Sequence, residues 1–121
     1  MSNSQTIVIA LPTFAQNIRR LKKKYRNILK DIEPTIAQLE SGETPGDQIP
    51  DVGYPVFKVR VKNSDAQRGK SGGYRIIYYL KTNINVLLLT LYSKSDQDDI
   101  AADDLKAIIR DYESQTPSDP E

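Results

Sequence analysis

In "VFKVRVK" (residues 56–62), Lys58, Arg60 and Lys62 alternate with Phe57, Val59 and Val61. A strand burying the apolar set projects the three cations from its other face. "GYRIIYYLK" (73–81) divides in the same way, with Arg75, Ile77 and Tyr79 opposed to Tyr74, Ile76, Tyr78 and Leu80. In "INVLLLTLYS" (84–93), Leu88, Thr90 and Tyr92 oppose Leu87, Leu89 and Leu91, and Lys94 follows with the parity of Tyr92. The economical assignment places Lys58, Arg60, Arg75, Tyr79, Thr90 and Tyr92 on one open sheet face. Histidine and cysteine are absent, so any chemistry falls to lysine, arginine, tyrosine or carboxylates. A face of cations and tyrosines suits a phosphodiester beside a stackable base. The same alternation is what any solvated antiparallel strand shows, and strand tyrosines usually pack.

Other motifs are less telling. "RGKSGG" (68–73) sets Arg68 and Lys70 beside a glycine pair, either as a phosphate site at a sheet edge or as a basic hairpin loop. Its "GKS" imitates the end of a P-loop. That motif needs a glycine five residues before Gly69, where Ser64 stands, and a helix afterwards, where a strand follows. Asp96, Asp98, Asp99, Asp103 and Asp104 lack a calcium-loop pattern, and a helix N-terminus accounts for them without a metal. Serine nucleophiles have no histidine partner. No cofactor is implied.

The elements that must position these residues follow from periodicity. "TIVIA" (6–10) is a short β-rich run stopped by Pro12. Phe14, Ile18, Leu21 and Tyr25 make one stripe of an amphipathic helix, whose outer face carries Arg19, Arg20, Lys22, Lys23, Lys24 and Arg26. A second helical pattern (Ile28, Leu29, Ile32, Ile36, Leu39) is interrupted by Pro34, so it either starts late, near Asp31, or kinks. Residues 41–55 read as a loop rich in glycine and proline. Ile100, Leu105, Ile108, Ile109 and Tyr112 mark a third helix, with Ser95 and Asp98 as its capping box. The expected fold is α+β: a small, mostly antiparallel four-stranded sheet in the order β-α-α-β-β-β-α. Two N-terminal helices pack on one face, and a C-terminal helix follows. Residues 1–113 form the single expected domain, and 114–121 a disordered acidic tail.

At 121 residues the chain is long enough for one two-layer core, and no apolar run reaches the length of a membrane span. The reading is cytoplasmic, with no membrane partner. A formal net charge of +1 hides an asymmetry. Residues 1–95 hold 15 Lys and Arg against 7 Asp and Glu, whereas residues 96–121 hold 2 against 9. Such a basic body with an acidic end either handles a polyanion or is an inert surface pattern.

"SGGYRIIYYL" followed by "LLLTLYSKSDQDDI" resembles the last two strands and final helix of the RelE/ParE toxin superfamily, on its RelE and HigB side. "LPTFAQNIRRLKKKYRNI" resembles the opening helix of that family and "VFKVRVK" its second strand, so the likeness covers about residues 6–110. It implies the toxin of a type II toxin–antitoxin pair, held by a cognate antitoxin and meeting operator DNA only through the toxin–antitoxin complex. The RelE branch cleaves messenger RNA on the ribosome without metal, as an mRNA interferase: the ribose 2′-hydroxyl attacks the adjacent phosphate. On this resemblance Arg75 takes the phosphate-binding arginine position, and Lys94 falls in the functional segment after the last strand. Tyr92 or Lys94 supplies proton transfer, because Ser95 and Ala101 stand where some members carry arginine and tyrosine. Lys58, Arg60, Arg68, Lys70 and Tyr79 are the expected RNA or ribosome contacts, with Gly72 and Gly73 allowing close approach. ParE-like inhibition of DNA gyrase and an inactive binding module are the rival readings.

Overall fold

The computed structural model describes residues 6–65, 73–97 and 99–115. The elements run β1 (Ile7–Ala10), α1 (Pro12–Lys22), α2 (Ile28–Glu40), β2 (Asp47–Gln48), β3 (Val56–Val61), β4 (Tyr74–Thr82), β5 (Asn85–Ser93) and α3 (Ala102–Gln115). The sheet is five-stranded and mixed, in the order β1-β5-β4-β3-β2, rather than four-stranded and mostly antiparallel. β1 lies parallel to β5 because α1 and α2 carry the chain away before β3 begins. β2 is a two-residue strand against β3, too short to leave a periodic signal. Among the described residues, no helix is long and apolar enough to cross a membrane.

α1 begins on Pro12, whose fixed φ suits a first helical turn and whose missing N–H is an orphan there anyway. It stops at Lys22, so Tyr25 lies in the α1–α2 connection, still buried with Phe14 and Leu21. α2 runs straight through Pro34. Pro34 and Lys30 are both exposed, so the carbonyl deprived of its helical partner is within reach of water. α3 starts at Ala102, well after Ser95, so the expected capping box does not form; Asp98 lies outside the described residues. α3 also extends to Gln115, which makes the first two residues of the expected tail helical, while 116–121 lie outside the description.

Two apolar clusters sandwich the sheet. Under α1 and α2 lie Val59, Val61, Tyr74, Ile76, Tyr78, Val86, Leu88 and Leu91. On the opposite face, Leu105 and Ile109 of α3 cover Val56, Ile77, Tyr79, Leu87, Leu89 and Tyr92. That face is therefore closed over most of its area, and Tyr79 is not on an open surface. It is 8% exposed, with its ring edge-on to Tyr54. The simple alternation read from β5 also fails. A register shift sets Tyr78 opposite Leu88 but Ile77 opposite Thr90, so Leu87 and Leu89 share the α3 side with Tyr92 while Leu91 turns to the other core. Thr90 is buried, and its hydroxyl and the Leu91 N–H both donate to Asn17 Oδ1 (2.7 and 3.0 Å). Asn17 thus satisfies β5 where β1 has ended.

Candidate functional site

The uncovered part of the α3 face holds the cations. β3 and β4 pair with Arg60 directly opposite Arg75, and β4 and β5 with Arg75 opposite Tyr92. Lys58, two residues before Arg60, projects on the same side, and the Lys94 N–H donates to the Gly73 carbonyl (2.9 Å), tying the end of β5 to the start of β4. A pocket of about 670 Å³ results, lined by Gly46, Asp47, Lys58, Val59, Arg60, Arg75 and Lys94. Four of the expected cationic residues therefore converge there. Like charges directly opposite on neighbouring strands cost stability. An Arg60–Arg75 pair beside two lysines can attract an anion such as a phosphate.

Two glycines shape the walls. Gly46 has φ +93, and a Cβ there would overlap the Lys58 carbonyl, so only glycine lets β2 lie this close to β3. Gly73 has φ +85, and its Cβ would stand 2.7 Å from the Val61 carbonyl. Glycine here lets β4 start close beside β3. Arg75 Nη1 donates to the Tyr74 carbonyl (3.3 Å), which steadies the guanidinium over the start of β4. Arg68, Lys70 and Gly72 lie outside the described residues. The stem before them is fixed: Asp65 accepts from the Asn27 N–H (2.7 Å) and Nδ2 (3.0 Å), and Asp31 accepts from the Ser64 N–H and hydroxyl.

Tyr92 is 3% exposed, so its ring belongs to the α3-side core and only its hydroxyl serves the site. That hydroxyl donates to Asp99 Oδ1 (3.4 Å), which also accepts from Lys58 Nζ (3.3 Å) and the Ile100 N–H (2.9 Å). The Ile100 N–H, then Lys58 and Tyr92, hold the Asp99 carboxyl below the usual carboxylate range. Sequence reasoning read Asp99 only as a helix-start acid, and it passed over Asp47 as loop. Neither has a pattern of its own; both arrive through pairings 41 and 11 residues apart in sequence.

Beneath Lys94 the helix side supplies a second support. Ser93 and Ser95 hydroxyls lie 2.9 Å apart, and Tyr25 Oη reaches Ser95 Oγ at 3.4 Å. The hydrogen bond to Ser95, with help from Ser93 and Lys24, holds the Tyr25 hydroxyl below its ordinary value. The Ser95 hydroxyl is therefore engaged with Tyr25 and Ser93. Among the described residues, no group of three or more Asp or Glu is placed to hold a metal ion.

The family model of the RelE toxin of the RelE/RelB toxin–antitoxin system matches residues 14–116, from within α1 to just past α3. The match takes in every described element except β1, and the chain belongs to the RelE toxin family.

Proposed function

We propose that the chain is an endoribonuclease toxin that cuts messenger RNA on the ribosome, through attack of a ribose 2′-hydroxyl on the adjacent phosphate. The observation that carries this reading is the convergence of Lys58, Arg60, Arg75 and Lys94 on one pocket, with two arginines opposite each other on neighbouring strands. In the attack, the 2′-hydroxyl loses its proton to water and its oxygen forms a bond to phosphorus as the bond to the 5′-oxygen breaks. Negative charge grows on the non-bridging oxygens, and the departing 5′-oxygen needs a proton. Arg75 is suited to the first need: its planar fork offers two parallel donors, and its strand fixes the backbone beneath it. Lys94 lines the pocket at the end of β5 and is the better-placed proton donor to the leaving oxygen. Tyr92 is buried and already donates to Asp99, which suits it to orienting that carboxylate. Lys58 and Arg60 draw in the flanking phosphates.

A toxin acting on ribosomes works in the cytoplasm and needs an antitoxin. The exposed cations of α1 and of its connection to α2 (Arg19, Arg20, Lys22, Lys23 and Arg26) suit an acidic segment of such a partner. Operator DNA would be met by the pair, not by this chain alone. The deciding experiment is to induce the chain alone in a bacterium and map new RNA 5′-ends. New ends within ribosome-occupied messages are the expected result. Intact RNA with gyrase-linked DNA breaks would replace this reading by gyrase inhibition, and harmless expression at high level would mark an inactive module.

A further inference from the structure

Asp99 places a carboxylate against a site built from cations, and its local role does not account for it. Among the described residues its carboxylate accepts three hydrogen bonds, and only one of them, from the adjacent Ile100 N–H, is local. The other two reach Lys58 on β3 and Tyr92 on β5, and all three meet the same oxygen, Oδ1. The ion pair is open to water, with side chains 34% exposed for Lys58 and 65% for Asp99. A pair that exposed is weak, so an RNA phosphate with its own charge can displace it.

We propose that Asp99 is a positioning residue, resting on the cleavage reading above. Its carboxylate holds the Lys58 ammonium and the Tyr92 hydroxyl at the rim of the pocket until RNA arrives, then yields Lys58 to a phosphate. The arrangement has opposite effects on binding and on chemistry. The negative charge opposes RNA in the ground state, while the anchor, itself steadied by the buried Tyr92, pre-positions Lys58 before the reaction. Neutralising Asp99 therefore tightens binding and slows the cut.

The test uses the purified full chain with ribosomes carrying a defined message, giving kcat and KM. A short single-stranded RNA, 2′-O-methylated throughout so that it resists cleavage, reports binding by fluorescence anisotropy. Asp99→Asn is expected to bind the methylated RNA about threefold more tightly, the scale of one exposed charge pair. It is expected to lower kcat about fivefold to tenfold, the scale of one ordinary hydrogen bond, with KM falling alongside. Asp99→Glu, which keeps the charge, should recover most of kcat. In a Lys58→Ala background the effect of Asp99→Asn should shrink, because the group it pre-positions is gone. Wild-type values of both kcat and affinity in a folded Asp99→Asn protein would overturn the proposal, and so would weaker binding. Wild type and Arg75→Ala run in the same assay. A wild type that leaves the message intact strikes the cleavage reading itself, and unaltered binding of the methylated RNA by Asp99→Asn would then overturn the role of its charge as well.

Discussion

On the face under α1 and α2, three cross-strand rows are filled almost entirely with apolar or aromatic side chains: Phe57–Tyr78–Leu88, Val59–Ile76–Leu91 and Val61–Tyr74–Ser93. On the face under α3 the rows change along the strands. Val56–Tyr79–Leu87 is apolar, the next row pairs Lys58 with Ile77, and the last is Arg60–Arg75–Tyr92. Both sides of the sheet therefore carry an apolar core, and on the α3 side that core stops short where like charges lie close together. The difference teaches how a domain of this size keeps an unfavourable cluster in place. The cations sit on strands whose opposite sides are locked into a closed core, so repulsion cannot push the backbone apart.

Adjacent residues on β4 break the comparison most directly. Ile76 is fully buried between β3, β5 and the N-terminal helices. Ile76→Ala should cost about 2–5 kcal/mol of unfolding free energy, since a buried branched side chain leaves both lost burial and a cavity. Urea unfolding followed by circular dichroism measures it, and a loss well under 1 kcal/mol would mean that this core adds little to stability. Arg75, one residue away, points to the other face. Arg75→Ala should leave the fold intact, because its side chain lines the pocket and belongs to neither apolar cluster. Cleavage of ribosome-bound message should fall about 10²–10³-fold, the usual loss for one fixed donor to a developing oxyanion. Lysine at this position should rescue only in part, keeping the charge and losing the fork. A folded Arg75→Ala protein cutting at the wild-type rate would remove Arg75 from the chemistry.

Much of this division could be read from the sequence, and the failures have physical causes. Alternation in β3 and β4 placed Lys58, Arg60 and Arg75 on one side, since a period of two leaves little freedom once Val59 and Ile76 are buried. The shift in β5 defeated the same logic, because a bulge adds a residue without changing the composition. The cover over Tyr79 was missed for a different reason. The apolar stripe of α3 shows that it needs a surface, but not which one; the near-continuous apolar character of β4 and β5 was the available clue that both faces are covered. β1 was recognised as a strand, whereas its parallel pairing with β5 is a long-range outcome with no local signature.

Salt dependence sharpens the contrast between the pocket and the basic surface of α1. Each phosphate neutralised on a single strand contributes about −0.7 to the slope of log affinity against log salt. With Lys58, Arg60, Arg75 and Lys94 all engaged, the slope for a short single-stranded RNA should be about −3. Arg60→Ala should reduce its magnitude by about 0.7, while Arg20→Ala on α1 should leave it as it was. Equal effects of the two substitutions would mean that RNA is held by diffuse charge over the whole basic body instead of by the pocket.

The smallest expected effect concerns Asp99 as the counter-charge to that pocket. Its carboxyl is held below the usual range first by the Ile100 N–H and then by Lys58 and Tyr92. A carboxylate depressed in the folded state adds stability that is fully present above its unfolded value of about 3.9 and is lost as pH falls through the lower folded value. Asp99→Asn retains an acceptor for the Ile100 N–H, so comparison with wild type isolates the charge. At pH 7 the variant should be less stable by a few tenths of a kcal/mol and at most about 1 kcal/mol, because the pair with Lys58 is largely solvated. The gap should shrink between pH 5 and pH 3 as the wild-type carboxyl takes up its proton, and at pH 7 it should shrink with added salt. Urea midpoints of the two proteins, measured side by side at each pH, cancel the titration of the other carboxylates. A gap as wide at pH 3 as at pH 5 would show that Asp99 acts through shape, and that the pocket does not need its charge.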